Sequence, residues 1–233
     1  PDLLADFRAG TIIRITTPVH DLNPLPWLRA QHGKTQYYWR ERDGEFEMAG
    51  TGETDVLSPV GPTDLDALFA FMRTRLSPRF PGLRYYGGFR FAEDADTGDR
   101  WENFKAYRFV VPRFEILRRK KATELACNIK IGGNEDSNAR ALEKALTDLK
   151  SLSLKEATDI ATVPPMQHRE DLPNEEEWTD LVEKTLDAFM RHDIEKVVLA
   201  RETTFTATKN IDPVALLDRL LDYTTKSFVF CFH

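Results

Sequence analysis

Apolar and polar positions change period repeatedly along the chain, and each change marks an element. Residues 11–19 are rich in β-branched side chains and predict a strand. Residues 37–41 and 45–49 flank Arg42-Asp43-Gly44, which predicts a hairpin. Leu65, Leu68, Phe69, Met72 and Leu76 fall at the i, i+3, i+4 spacing of a helix face, with Thr63 as its cap and Pro78 at its end. Strand character returns over residues 84–91, 106–117 and 123–131, with short turns and no helix between them, the pattern of an antiparallel sheet. Residues 138–149 then carry Leu142, Ala145, Leu146 and Leu149 on one helical side.

The periodicity lapses over residues 151–173, where Pro164, Pro165 and Pro173 mark a linker crossing the surface. Asn174 and Glu177 open a capping box, and Trp178, Leu181, Val182, Leu186, Phe189 and Met190 form an apolar stripe expected to lie in the core. Asp212 caps and Pro213 opens a last helix with Val214, Leu217, Leu220 and Leu221, ahead of an apolar strand at residues 227–233. The class is α+β, with mostly antiparallel sheets packed by helices. Three regions follow: a sheet-and-helix region 1–150, the linker 151–173, and a final region 174–233.

Composition narrows the functional classes. With 233 residues and 41% apolar side chains, the chain holds one large or two small domains. A net charge of −6 argues against nucleic acid as a partner, because no basic surplus exists to displace counterions from phosphates. The run Arg118-Arg119-Lys120-Lys121 reads as a solvated turn between strands rather than a docking patch. No stretch reaches the roughly 18 apolar residues of a membrane span. Cys127 and Cys231 lie in apparent strands and read as free buried thiols, as expected in a reducing cytoplasm. The histidines, at 20, 32, 168, 192 and 233, share no metal-ligand spacing. Gly132-Gly133 lacks the rest of a phosphate loop and reads as a turn, and Gly87-Gly88 reads as a place of close backbone packing or a bulge.

The most informative segment is Glu195-Lys196-Val197-Val198-Leu199-Ala200-Arg201-Glu202. As a strand it would place Lys196 on one face with Val198 and Ala200. Apolar surroundings disfavour a charged ammonium, and a neutral amine can serve as base or nucleophile. The alternative is a lysine at the start of a strand whose ammonium reaches water. Arg201 would face away from Lys196 and pair with Glu195 or Glu202. Arg90 and Arg113 read as holding neighbouring loops.

Lys196-Val197-Val198-Leu199-Ala200-Arg201, following His192-Asp193-Ile194, resembles the general-base segment of the chorismate-utilising enzymes, specifically the isochorismate synthases. Three more stretches agree in order. Tyr38-Trp39-Arg40-Glu41-Arg42-Asp43-Gly44 with Ala49-Gly50-Thr51-Gly52 resembles their N-terminal hairpin, and Tyr86-Gly87-Gly88-Phe89-Arg90-Phe91 their glycine-pair strand. Trp101 and Phe104, then Phe109-Val110-Val111-Pro112-Arg113-Phe114-Glu115, resemble the strand that follows.

The resemblance implies that Lys196 activates water for attack at C2 of chorismate, the small-molecule substrate. Ammonia-using relatives carry a glutamine-type residue there, and an amide is no Brønsted base. It also implies a magnesium cofactor, whose ligands, with a general-acid glutamate, are expected beyond residue 233. Region 174–233 would then be the start of the chorismate-binding core, and the remainder of the same protein would complete the site. The start at Pro1 and the apolar strand at the end carry the same expectation of a longer protein. Three readings stay open: isochorismate synthase, of menaquinone rather than siderophore type; salicylate synthase, which adds pyruvate elimination; and a non-catalytic binding module or inactive portion.

Overall fold

A computed structural model describes residues 7–31, 34–58, 64–90, 102, 104–159, 162–224 and 226–233. The chain divides into two units, residues 161–216 and a unit built from residues 1–160 together with 217–233.

In the larger unit, β1 (Ile12–Pro18) and α1 (Pro24–Arg29) precede the expected hairpin of β2 (Gln36–Arg40) and β3 (Phe46–Leu57). Its register pairs Tyr38 with Ala49 and Trp39 with Met48. The turn closes with the Gly44 amide donating to the Glu41 carbonyl at 3.0 Å, and Gly44 takes φ +72°, where only glycine is unstrained. Asp64, rather than Thr63, caps α2 (Leu65–Arg75): its carboxylate accepts from the Ala67 amide at 2.9 Å, and Thr63 lies outside the described residues.

The sheet continues through β4 (Tyr86–Phe89), β5 (Tyr107–Arg119) and β6 (Ala122–Lys130), all antiparallel to their neighbours. Phe91 and Trp101, singled out above, lie outside the described residues. The first half of β5 takes β4 as a neighbour and the second half takes β6, while β3 runs along its other edge. Pro112 sits where the β3–β5 register shifts between Glu53 and Asp55, a place that tolerates a residue without an N–H. Gly87 is required by close approach, since a Cβ there would lie 2.7 Å from Phe109 Cα and overlap the Arg108 carbonyl. Gly88 has open space beside it. Of the Arg118–Lys121 run, Arg118 and Arg119 end β5, with Arg118 paired to Glu47, and only Lys120, at φ +54°, and Lys121 form the β5–β6 turn.

Helix α3 (Glu135–Lys150) begins three residues before the apolar stripe suggests. Its start is set by Asn134, which forms a capping box with Ser137, and not by hydrophobic spacing. Ala145 packs with Ile13, Ile129 and Ile131 against the sheet. Past α3 the chain returns to α1, where the Trp27 indole donates to the Ser153 carbonyl at 2.8 Å. Arg113 does hold neighbours together, donating to the Asn128 carbonyl at 2.8 Å and lying 3.6 Å from Asp148 of α3. The strand β9 (Val229–Phe232) pairs with β2, giving the order β1-β6-β5-β3-β2-β9 with β4 attached to β5. Met48, Ile116 and Leu117 are fully buried, each worth about 1.5–3 kcal/mol by leaving water.

One polar group threads this core. Arg14 of β1 donates to Glu115 and Asn128, both at 2.9 Å, and the Asn128 amide donates to Glu115 and to the Pro112 carbonyl. The Tyr86 hydroxyl approaches the second Glu115 oxygen at 3.4 Å.

Four phenols share a second property. Burial, reinforced by the Glu53 carboxylate, pushes Tyr37 up to about 12 from the ordinary 10. Burial first, and then Glu47, Asp55 and Glu115 respectively, push Tyr38, Tyr85 and Tyr86 further up. Each phenol therefore holds its proton to higher pH folded than unfolded. The folded chain binds more protons above the ordinary value of 10, so stability falls as pH rises from there toward the folded values. The urea midpoint is expected to decline from about pH 10 upward, with phenolate absorbance appearing together with unfolding. Phenolate absorbance from all tyrosines while the far-UV spectrum stays native would contradict this.

The smaller unit contains a ribbon of β7 (Met166–Leu172) and β8 (Glu202–Ala207), with α4 (Glu175–Met190) between them in sequence. Thus β7 arises within the stretch read as linker. Its sequence, MQHREDL, is polar on both faces and shows no alternation until β8 pairs with it. The Asn174–Glu177 capping box forms as expected. The apolar stripe of α4 does not lie in a core: none of its residues is buried, and Leu186 and Met190 are 55% and 72% exposed. An amphipathic helix needs a broad surface to cover it, and a two-stranded ribbon offers too little. Across the unit boundary runs α5 (Pro213–Leu221), capped by Asp212, whose carboxylate accepts from the Val214 amide at 2.9 Å.

Candidate active site

The position of Lys196 follows from how α4 stops. The Asp193 amide donates to the Ala188 carbonyl and the His192 amide to Phe189, both at 3.0 Å, and His192 turns left-handed at φ +58°. This paired closure ends the helix abruptly and sends the chain off at Ile194, two residues before Lys196.

Residues 196–201 do not form the expected strand; the ladder begins only at Glu202, opposite Leu172. Its cause lies on the other strand. Extending the ribbon would set Arg201 against Pro173, which has no N–H to give, and the chain there already turns into α4. Lys196 is exposed, Val198 is 81% exposed, and the apolar wall that alternation suggested does not form around them among the described residues. Among the described residues the Lys196 amine has no hydrogen-bond or ion-pair partner.

Arg201 fixes the far end of the segment. It pairs with Asp171 at 3.7 Å, a partner the sequence reading replaced with Glu195 or Glu202, and its guanidinium lies 5.9 Å from the Trp178 ring centre. Thr203 donates to Asp171 at 2.5 Å and Arg169 does so at 3.2 Å. These contacts, the Thr203 hydroxyl first, hold the Asp171 carboxyl below the usual carboxylate range. Sequence reasoning missed Asp171 because it sat in a presumed linker. The segment carrying Lys196 is thus pinned by a helix stop before it and a charge cluster after it.

Among the described residues, no three His, Cys, Asp or Glu side chains gather to hold a metal ion. Cys127 and Cys231 form no disulfide with each other and are half-buried, and burial pushes the Cys127 thiol up. No helix among the described residues is long and apolar enough to cross a membrane.

Mostly antiparallel sheets packed with helices make this an α+β fold. The chain belongs to the chorismate binding enzyme family, whose model matches residues 4–233. It is 23% identical to isochorismate synthase 2, chloroplastic, of Arabidopsis thaliana over 97% of the chain and 44% of that protein. To isochorismate synthase MenF of Bacillus subtilis it is 22% identical, over 95% of the chain and 50% of the relative. The structure of MenF, the menaquinone-specific isochorismate synthase from Escherichia coli, superposes with a TM-score of 0.73 at 20% identity, covering 97% of this chain and 48% of that one. The resemblance to isochorismate synthases therefore holds, and the α+β expectation is met. The chain spans about half the length of the curated relatives it matches.

Proposed function

We propose that the protein to which this chain belongs converts chorismate to isochorismate in the cytoplasm, for a menaquinone-type pathway. Lys196, in its neutral form, takes a proton from water as the oxygen attacks C2. Both ring double bonds shift, C1=C2 to C1=C6 and C5=C6 to C4=C5, and the C4–O bond breaks, the hydroxyl leaving as water with a proton from an acid outside this chain. The observation that carries the reading is Lys196 itself, unpartnered in a segment pinned at both ends. A base must be free to reach the proton it abstracts, and a fixed backbone limits where it can go.

Magnesium is proposed as the cofactor of the complete protein on the strength of the family resemblance. Among the described residues no group of three metal-ligating side chains would hold it. Incubating the complete protein with chorismate should yield isochorismate when magnesium is present and none after chelation. Salicylate with pyruvate as products would replace this reading by the salicylate synthase one. Binding of chorismate with no product under any metal condition would mark a non-catalytic module.

A further inference from the structure

In the larger unit, a recess of about 450 Å³ opens between β1, the β5–β6 turn and the loop that follows α2. Arg14, Arg79 and Arg119 line it against a single carboxylate, Glu124, and Phe80 and Pro81 supply an apolar wall. Its size lies within the range of small-molecule sites.

Arg14 is the unusual member. It is only 7% exposed, and one terminal nitrogen is spent on Glu115 and Asn128. The other, Nη2, and Nε have no hydrogen-bond partner although both are buried. Those two N–H groups form the side edge of the guanidinium, the fork that takes two oxygens of one oxyanion in parallel. Buried donors left unmade are costly, and each asks for an occupant. A Cβ built on Gly82 lies 3.7 Å from Arg14 Nε and 3.7 Å from Arg119 Nη2, ordinary contact distances, so the two guanidiniums converge beside this glycine. Arg119 has no ion pair among the described residues and rests on the Phe46 ring.

We infer that this recess binds a small oxyanion with an apolar body, a carboxylate or a phosphate monoester. Arg14 grips the anionic group through its side edge, Arg119 closes over it, and the carbon skeleton lies along Phe80 and Pro81. The site lies within the sheet unit.

Calorimetric titration of the complete protein with benzoate and with phenyl phosphate tests this, with benzyl alcohol as the uncharged control. Substituting Arg14 endangers the fold, so the informative variants are Arg119→Gln, which removes a charge at the mouth, and Gly82→Ala, whose methyl occupies the convergence point at ordinary contact distance. Saturable binding of either anion, weakened about tenfold or more by both variants, with benzyl alcohol silent, is the expected result. The tighter of the two anions identifies the class. No saturable binding of either at millimolar concentration, or binding that both variants leave unchanged, overturns the inference.

Discussion

Replacing Lys196 by alanine in the complete protein is expected to lower kcat for chorismate by about 10²–10⁴-fold, the range that a positioned general base supplies. Folding should be untouched, because the side chain is exposed and holds no partner among the described residues. KM should change little, since the amine acts on water and not on the substrate's carboxylates. Lys196→Arg should fail as completely, because a guanidinium stays protonated and cannot accept the proton. An alanine variant with near wild-type kcat, or one whose unfolding midpoint drops with its activity, would remove Lys196 from the mechanism.

The largest loss of stability is expected from Glu115→Ala. Glu115 is fully buried and receives hydrogen bonds from Arg14, Asn128 and Tyr86. Truncation leaves the Arg14 charge in the core without its counterion, and that costs about 3–5 kcal/mol. Asn128 keeps the Pro112 carbonyl, so the damage centres on the ion pair. Glu115→Gln should fall between the two, retaining shape and an acceptor but not the charge. Urea unfolding followed by circular dichroism reads the difference, and a loss of under about 1 kcal/mol for the alanine variant would show that water reaches Arg14. Because Glu115 holds the arginine whose side edge lines the recess, the same variant should also abolish anion binding there.

Local signals were legible in the sequence and distant ones were not. The β2–β3 hairpin, the Asn174 capping box and the Asp212 cap each depend on residues within a few positions, and all three form as read. The buried Arg14–Glu115 pair spans 101 positions, and from sequence each residue looks like a polar point in an alternating strand. The division of β5 between β4 and β6 is equally non-local, since either half alone reads as one continuous strand. For the candidate site, family resemblance singled out Lys196, but the strand assigned around it failed because Pro173, 23 positions earlier, ends the ladder it needed. The stripe of α4 was read correctly as apolar and wrongly as covered. Periodicity reports which face seeks a partner, not whether that partner lies in the same stretch of chain.

One outer edge of the large sheet goes to residues 229–232, which bond to β2, with Trp39 stacked on Phe230 at 5.8 Å. A ribosome therefore releases β2 long before its edge partner exists, and the whole of residues 161–216 is translated in between. Until then a row of bare amides and carbonyls waits beside exposed aromatic rings, the kind of surface that invites strand addition from a neighbouring nascent chain. Chaperone dependence during synthesis should accordingly be concentrated in that interval and lapse once the late strand docks.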